Sequence, residues 1–277
     1  MLLDGKALAL KIRSQLADKV QTLQAQKQTL PGLAVILIGD DPASKVYVHH
    51  KEKACQSCGI HSETHRYSAT TNVKEVENLI DNLNQRNDIH GILLQLPLPT
   101  GWQSWPLIQR ISPTKDVDGL HAHNQGMLCW NQTALQPCTP KGVVTLLKAN
   151  GITLQGKHAL VVGRSALVGR PLATMLTHEN ATVTLAHSHT KNLAQLCQTM
   201  DIVVAAAGQA QFMKKEWFQK DAVVVDVGIH RIGEKLCGDV DPAVAEIASA
   251  HTPVPGGVGP MTIATLLSNC VQAWESQ

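Results

Sequence analysis

Apolar residues recur at helical spacing from the start of the chain. Leu8, Ile12, Leu16, Val20 and Leu23 step by four, four, four and three, which predicts one apolar-faced helix over residues 2–26. Pro31-Gly32 breaks that pattern, and Leu33-Ala34-Val35-Ile36-Leu37-Ile38 reads as a buried strand. Gly39-Asp40-Asp41-Pro42 turns the chain into a helix over 43–58 that Gly59 stops. A weaker strand follows over 60–67. Val73, Val76, Leu79, Ile80 and Leu83 share one face of a helix over 72–84, which feeds a strand over 91–96. Strand and helix thus alternate through residues 1–110, the pattern of a parallel α/β sheet.

Between Pro97 and Pro140 the periodicity is broken by proline, glycine and asparagine, as in functional or interdomain connections. Thr139-Pro140 starts a helix running to Asn150, with a hydroxyl cap and a proline at the first helical position. Strands are then predicted over 157–162, 181–186, 201–206 and 221–227. Helical segments near 170–177, 193–197, 214–217 and 243–248 fill the gaps, a Rossmann-like repetition. The proline- and glycine-rich run 252–260 is expected to be non-helical. Ile263, Leu266, Leu267, Cys270, Val271 and Trp274 beyond it predict a last helix that returns to the first lobe. The expected architecture is two α/β lobes flanking a cleft, with residues 1–138 plus 259–277 in one domain and 139–258 in the other; such junctions favour small-molecule sites.

Composition limits what such a molecule does. Of 277 residues, 44% are hydrophobic and 17% charged, enough for a sizeable core. Lys plus Arg number 24 against 22 Asp plus Glu, so no charge excess favours nucleic acid or an acidic membrane. Asp4, Lys6, Lys11 and Arg13 interrupt any secretory-type apolar run, and a cytoplasmic protein is expected. The seven cysteines, an odd number spread along a long chain, read as reduced thiols. Cys55 and Cys58 form a CxxC with no second pair to complete a zinc site.

In the second lobe, a hydrophobic strand ends at Gly163 and is followed by Arg164, Ser165, Ala166, Leu167, Val168 and Gly169. Glycines there admit a ligand to the backbone, and a helix N-terminus offers N–H groups to a pyrophosphate. The run departs from GxGxxG, with Ser165 at the second glycine and the last glycine one residue late, so a plain strand-to-helix turn is the competing reading. After the next strand come His187, Ser188, His189, Thr190 and Lys191, with no carboxylate to hold ribose hydroxyls, which favours NADP over NAD. His187 with His189, and His121 with His123 near Asp116, Asp118 and Cys129, are pairs that a metal would need to supplement, and loop packing is the simpler reading for both. Gly208 and Gly228-Ile229 mark further strand ends, where the nicotinamide half of a cofactor would lie.

In the first lobe, Tyr47 and Lys51 are an i,i+4 pair one turn beyond Ser44, a plausible acid/base pair and also a common accident. Lys45 and Lys53 nearby would disfavour protonation of Lys51. Gln95 is a polar residue inside an apolar strand and needs a partner, either Lys51 or a ligand. Lys115-Asp116-Val117-Asp118-Gly119, read as extended, places two carboxylates on one side; one would meet a heteroaromatic ligand while the other organises the loop.

Taken together, these residues resemble the bifunctional methylenetetrahydrofolate dehydrogenase/cyclohydrolase family in its bacterial two-domain form. The resemblance rests on Ser44-Lys45-Val46-Tyr47-Val48-His49-His50-Lys51, on Gly91-Ile92-Leu93-Leu94-Gln95-Leu96-Pro97-Leu98-Pro99 and on residues 115–119. Pro137-Cys138-Thr139-Pro140-Lys141-Gly142, residues 163–171, Asp226-Val227-Gly228-Ile229 and residues 253–262 add to it.

The resemblance implies oxidation of 5,10-methylenetetrahydrofolate with NADP, and hydrolysis of the 5,10-methenyl product to 10-formyltetrahydrofolate in the same cleft. It implies that Lys51 is the principal catalytic group, Gln95 its holder, Tyr47 a residue that stacks on or aligns the folate, and Asp118 an acceptor for the pterin. Leu96, Pro97, Pro255, Gly256 and Gly257 would line the folate. Arg164, Ser165 and Ser188 would bind cofactor phosphates, Arg164 and Ser188 at the 2′ position. Gly163, Val168, Gly169, Gly208, Gly228 and Ile229 would complete the cofactor site. No metal is implied, and a homodimer formed through the cofactor lobes is. Many relatives have Phe-His-Pro where this chain has Leu120-His121-Ala122, a change bearing on affinity more than on activity. The alternatives are a monofunctional NADP-dependent dehydrogenase and a non-catalytic dinucleotide-binding protein.

Overall fold

The computed structural model describes residues 1–277. Two compact units emerge, one of residues 10–138 with 263–277, the other of residues 1–9 with 139–262. The first nine residues, which include the start of the first helix, are grouped with residues 139–262. Backbone pairing explains this, since the Leu3 N–H donates to the His251 carbonyl and the Lys6 N–H to that of Gly256, both at 2.8 Å.

The unit of residues 10–138 and 263–277 contains most of α1 (Gly5–Lys27), then β1 (Gly32–Ile38), α2 (Pro42–Ser57), β2 (His61–Tyr67), α3 (Val73–Gln85) and β3 (Gly91–Leu94). Its three strands are parallel in the order β2-β1-β3. Every residue of β1 is buried, and successive side chains divide between two cores. Leu33, Val35 and Leu37 pack with Val20 of α1 and with Leu266, Leu267, Cys270, Val271 and Trp274 of the returning C-terminal helix. Ala34, Ile36 and Ile38 pack with Val76, Ile80 and Leu83 of α3. The strand expected over 91–96 ends at Leu94, although the Gln95 N–H still donates to the Ile36 carbonyl at 2.9 Å. Pro97 then offers no N–H to continue the ladder.

The stretch 97–140 is less irregular than expected. It holds α4 (Ser104–Arg110) and α5 (Ala122–Cys129), and α6 (Cys138–Ala149) begins one residue before Thr139.

The second unit alternates β4 (His158–Val162), α7 (Gly169–His178), β5 (Thr182–Ala186), α8 (Leu193–Cys197), β6 (Ile202–Ala205) and β7 (Val223–Asp226). It adds a short hairpin, β8 (His230–Ile232) with β9 (Lys235–Cys237), and a last strand β10 (Ala250–His251). The parallel sheet has the order β10-β7-β6-β4-β5, a Rossmann-like arrangement in which the order reverses beside β4. The helix expected near 214–217 is a 3-10 turn over Lys215–Trp217, and the one near 243–248 a 3-10 turn over Pro242–Glu246. The final helix α9 (Val258–Ser276) starts inside the run expected to be non-helical. Pro260 lies in its first turn, where an N–H has no helical partner to lose.

Candidate active site

Helix α2 is set by its start. Asp41 caps it by accepting the Ser44 N–H at 2.7 Å, and Pro42 occupies the first turn. Ser44, Val48, Lys51, Ala54 and Cys55 form its buried stripe, so Lys51 enters the interior at the position of an apolar residue. Only 7% of Lys51 is exposed. Its Nζ donates to Gln95 Oε1 at 2.8 Å, and Gln95 Nε2 donates to the Leu96 carbonyl at 2.6 Å. That second bond fixes which end of the amide faces the lysine. The Leu96–Pro97 peptide that carries the acceptor is cis.

Asp118 completes this cluster, on a segment that is turned rather than extended. The Val117 N–H donates to the Lys115 carbonyl at 2.9 Å and the Gly119 N–H to that of Asp116 at 3.0 Å. The two carboxylates therefore do different work. Asp116 is buried and accepts from the His121 N–H at 2.8 Å and from Asn124 Nδ2 at 2.9 Å, holding the loop. Asp118, half-buried, interacts with Lys51.

Burial pushes the Lys51 ammonium below the ordinary lysine range, while Asp118 opposes the shift. Lys45 and Lys53 are not its cause, contrary to the expectation from sequence. Lys45 pairs with Asp40 at 2.8 Å on the surface, and Lys53 is exposed. Burial likewise pushes the Asp118 carboxyl up, against the pull of Lys51. The two groups form a coupled pair in which desolvation drives both toward neutrality and each holds the other's charge. Tyr47 is half-buried, and desolvation raises its phenol, which stays protonated at neutral pH.

Two supports went unnoticed in the sequence. Cys138 Sγ donates to the Val117 carbonyl at 3.2 Å. Asn269, fully buried on α9, donates to the carbonyls of Val117 at 2.9 Å and Gln136 at 2.8 Å. An asparagine within the apolar stripe Leu266, Leu267, Cys270, Val271 was the available signal.

The cofactor-type residues gather at the carboxyl ends of the strands in the other unit. Gly163 has φ +125°, and a Cβ on it would lie 2.0 Å from the Ala206 carbonyl oxygen; a Cβ on Gly169 would lie 1.8 Å from that of Gly163. Both glycines are therefore required by backbone crossing backbone, which makes the turn a glycine-walled cradle. Ser165 Oγ accepts from the Val168 N–H at 3.1 Å and the Gly169 N–H at 3.4 Å, leaving its own proton to donate outward. Gly208, at φ +70°, has nothing within 4 Å of a Cβ and Ile229 is 45% exposed, so both face open space.

Strands β4 and β5 pair with Val162 opposite Ala186, so Arg164 and residues 187–189 emerge at the same sheet edge. Partial desolvation lowers the His187 imidazole, and the Arg164 and His189 charges add to the effect. The His187 Nδ1 accepts the His189 N–H at 3.1 Å. Likewise His121 Nδ1 accepts the His123 N–H at 3.0 Å, capping α5. Both pairs therefore serve loop hydrogen bonding, and no group of three His, Cys, Asp or Glu is placed to hold a metal ion. Arg164 and Ser188 are exposed, and the segments 163–169 and 187–191 that carry them contain no carboxylate, which fits an anionic ribose substituent.

Pro255, Gly256 and Gly257 lie in the same unit, where the Gly257 N–H donates to the Pro253 carbonyl at 2.9 Å and the Val254–Pro255 peptide is cis. A surface depression lined by Gln24, His61, Asp88 and His90 among others contains none of the residues above.

A doubly wound unit with a glycine-walled strand end, carried in one chain with an α/β unit built around a buried lysine, defines a two-domain dinucleotide-dependent enzyme. The chain belongs to the tetrahydrofolate dehydrogenase/cyclohydrolase family: residues 3–118 match the family's catalytic domain and residues 137–277 its NAD(P)-binding domain. It is 52% identical over 273 residues to the bifunctional protein FolD of Magnetococcus marinus, covering 98% of this chain and 95% of that one. Among solved structures, it is similar to the bifunctional FolD methylenetetrahydrofolate dehydrogenase/cyclohydrolase of Campylobacter jejuni, with 45% identity, TM-score 0.97 and coverage of 100% of this chain and 99% of that one. The Trypanosoma brucei N5,N10-methylenetetrahydrofolate dehydrogenase-cyclohydrolase, solved with NADP cofactor and inhibitor, matches at 36% identity and TM-score 0.96, over 100% of this chain and 97% of that one.

Proposed function

We propose that this chain oxidises 5,10-methylenetetrahydrofolate to the 5,10-methenyl cation with NADP, and hydrolyses that cation to 10-formyltetrahydrofolate. The observation that carries this reading is the buried Lys51, held by Gln95 at 2.8 Å and coupled to Asp118. The residues of 10–138 with 263–277 serve the folate, and those of 139–262 serve NADP.

Bound NADP would supply the acceptor for the hydride of the one-carbon bridge, whose two flanking nitrogens share the positive charge left behind. The remaining chemistry belongs to side chains. Burial disfavours the Lys51 ammonium, and the amine takes a proton from water as the water oxygen bonds to the bridge carbon. Lys51 returns a proton to N5 as the N5–carbon bond breaks, so methenyltetrahydrofolate plus water gives 10-formyltetrahydrofolate and one proton released to solvent. Gln95 holds the lysine in line, Tyr47 aligns the folate, and Asp118 accepts hydrogen bonds from the pterin.

Leu96 and Pro97 wall the folate. Arg164 and Ser188 take the 2′-phosphate, and Ser165 donates to a phosphate from the turn that Gly163, Val168 and Gly169 shape. Gly208, Gly228 and Ile229 border the nicotinamide half. We place the protein in the cytoplasm as a homodimer associated through its NADP units; no helix is long and apolar enough to cross a membrane.

The test is a pair of assays on purified protein. NADPH must form from methylenetetrahydrofolate and NADP, and methenyltetrahydrofolate must decay faster than in buffer when NADP is omitted. Absence of the first overturns the reading; absence of the second alone leaves a monofunctional dehydrogenase.

A further inference from the structure

The most heavily bonded side chain in the nucleotide unit is one that the reaction above leaves unused. Asp239 is fully buried. Its Oδ2 accepts from the Ala207 N–H at 2.7 Å and the Gly208 N–H at 2.9 Å, and its Oδ1 from the Gln209 N–H at 3.0 Å. His230 Nε2 lies 2.7 Å from Oδ1. Three consecutive backbone N–H groups beyond β6 thus converge on one carboxylate, an arrangement that holds a buried negative charge without a cationic lysine or arginine.

A second carboxylate braces the first. Asp226, at the end of β7, accepts the Asp239 N–H at 2.9 Å, the Val240 N–H at 2.9 Å and the Gly228 N–H at 3.0 Å. Two glycines make room for the pair. A Cβ on Gly228 would lie 2.3 Å from Asp239 Oδ1, and one on Gly238 would lie 2.0 Å from Asp226 Oδ2. The segments after β6 and β7 are therefore joined through carboxylates near the strand ends, and by backbone bonds only further on, where the Gln211 N–H donates to the Gly238 carbonyl and the Met213 N–H to that of Asp239. The same braced segment meets the phosphate turn, because Gly163 crosses the Ala206 carbonyl.

We propose that Asp239 is a positioning residue for NADP binding: its carboxylate gathers the N–H groups of residues 207–209 and so fixes the strand-end loop against which the nicotinamide half lies. The inference rests on the functional reading above. Those three N–H groups are committed inward, so the loop meets its ligand through other atoms, and its shape is the property that matters.

Asp239→Asn separates positioning from general structure. It keeps the volume but turns an amide donor toward backbone donors. Hydrogen exchange at residues 207–209 of the ligand-free variant is expected to accelerate, and NADPH titrated by fluorescence to bind at least about tenfold more weakly, as loop displacements of this kind cost. Methenyltetrahydrofolate hydrolysis without NADP is expected to stay at the wild-type rate. Should the variant not fold, His230→Ala removes one support of the same carboxylate, and smaller changes of the same sign are expected.

Wild-type exchange and NADPH affinity in either folded variant would overturn the proposal. So would equal loss of both activities, the mark of a merely structural residue. Wild-type protein that fails to bind NADPH or reduce NADP overturns instead the functional reading beneath it.

Discussion

Lys51 Nζ meets Gln95 Oε1 at 2.8 Å, and the same amide is locked by its bond to the Leu96 carbonyl. An amide free to flip would present either a donor or an acceptor to the lysine. This one presents an acceptor only, which places the nitrogen without supplying a negative charge that would keep it fully protonated. The balance between amine and ammonium is left to burial and to Asp118.

Lys51→Met keeps the length of the side chain and removes its proton chemistry. Methenyl hydrolysis is expected to fall by about 10²–10⁴-fold, the usual worth of a positioned acid/base group. NADPH affinity is expected to hold, because Lys51 belongs to the other unit. The rate of loss of the methenyl chromophore above buffer checks it, and a wild-type rate would remove Lys51 from the mechanism.

The charge on Asp118 holds the Lys51 ammonium up against the downward push of burial. Asp118→Asn removes the opposing effect and leaves desolvation, so Lys51 gives up its proton at lower pH than in the wild type. A hydrolysis rate that rises as Lys51 deprotonates must then begin its rise earlier on the pH axis. Rate–pH profiles of the two proteins, compared at saturating substrate, decide the matter. An ascending limb displaced to higher pH contradicts the coupling.

Arg164 is an exposed cation just beyond the end of β4, which pairs with β5, and residues 163–169 and 187–191 contain no carboxylate. Charge-assisted bonds of this kind contribute about 1.5–3 kcal/mol, or roughly 10–100-fold. Arg164→Ala is expected to lower kcat/KM for NADP by that factor while leaving the value for NAD nearly unchanged. An unaltered NADP-to-NAD ratio would mean that another group reads the 2′-phosphate.

How far the sequence showed all this depends on the distance over which each signal acts. Strands such as β1 and β4 were legible because both faces are buried and the apolar run is continuous. The Tyr47–Lys51 spacing and the isolated polarity of Gln95 are local signals, and their meeting follows once β3 lies beside β1. Helix α4 was hidden by Pro106, and α5 by Gly126 and an unusual histidine cap. The hairpin β8–β9 turns at Gly233, where φ is +60°, but its strands are too short to show alternation. Asn269 reaches Val117 across 152 positions of chain, and Asp239 reaches residues 207–209 across about thirty. Only the folded register brings such groups together.

Gly163 and Gly208 offer a controlled comparison, since both sit at positive φ at strand ends of one sheet. At Gly208 a methyl group enters open space, so Gly208→Ala incurs only the left-handed backbone penalty of about 1–2 kcal/mol. At Gly163 the methyl would also sit 2.0 Å from the Ala206 carbonyl oxygen, a contact relieved only by moving backbone. Gly163→Ala is therefore expected to lose about 2–5 kcal/mol, adding strain of about 1–3 kcal/mol to a backbone penalty of about 1–2 kcal/mol. Urea denaturation read in the nucleotide unit measures the difference. Because displaced backbone there disturbs the phosphate turn, Gly163→Ala should also weaken NADPH binding more than Gly208→Ala does. Equal stability losses in the two variants would show that the β4 and β6 ends separate easily, and that the cradle is not the rigid element described here.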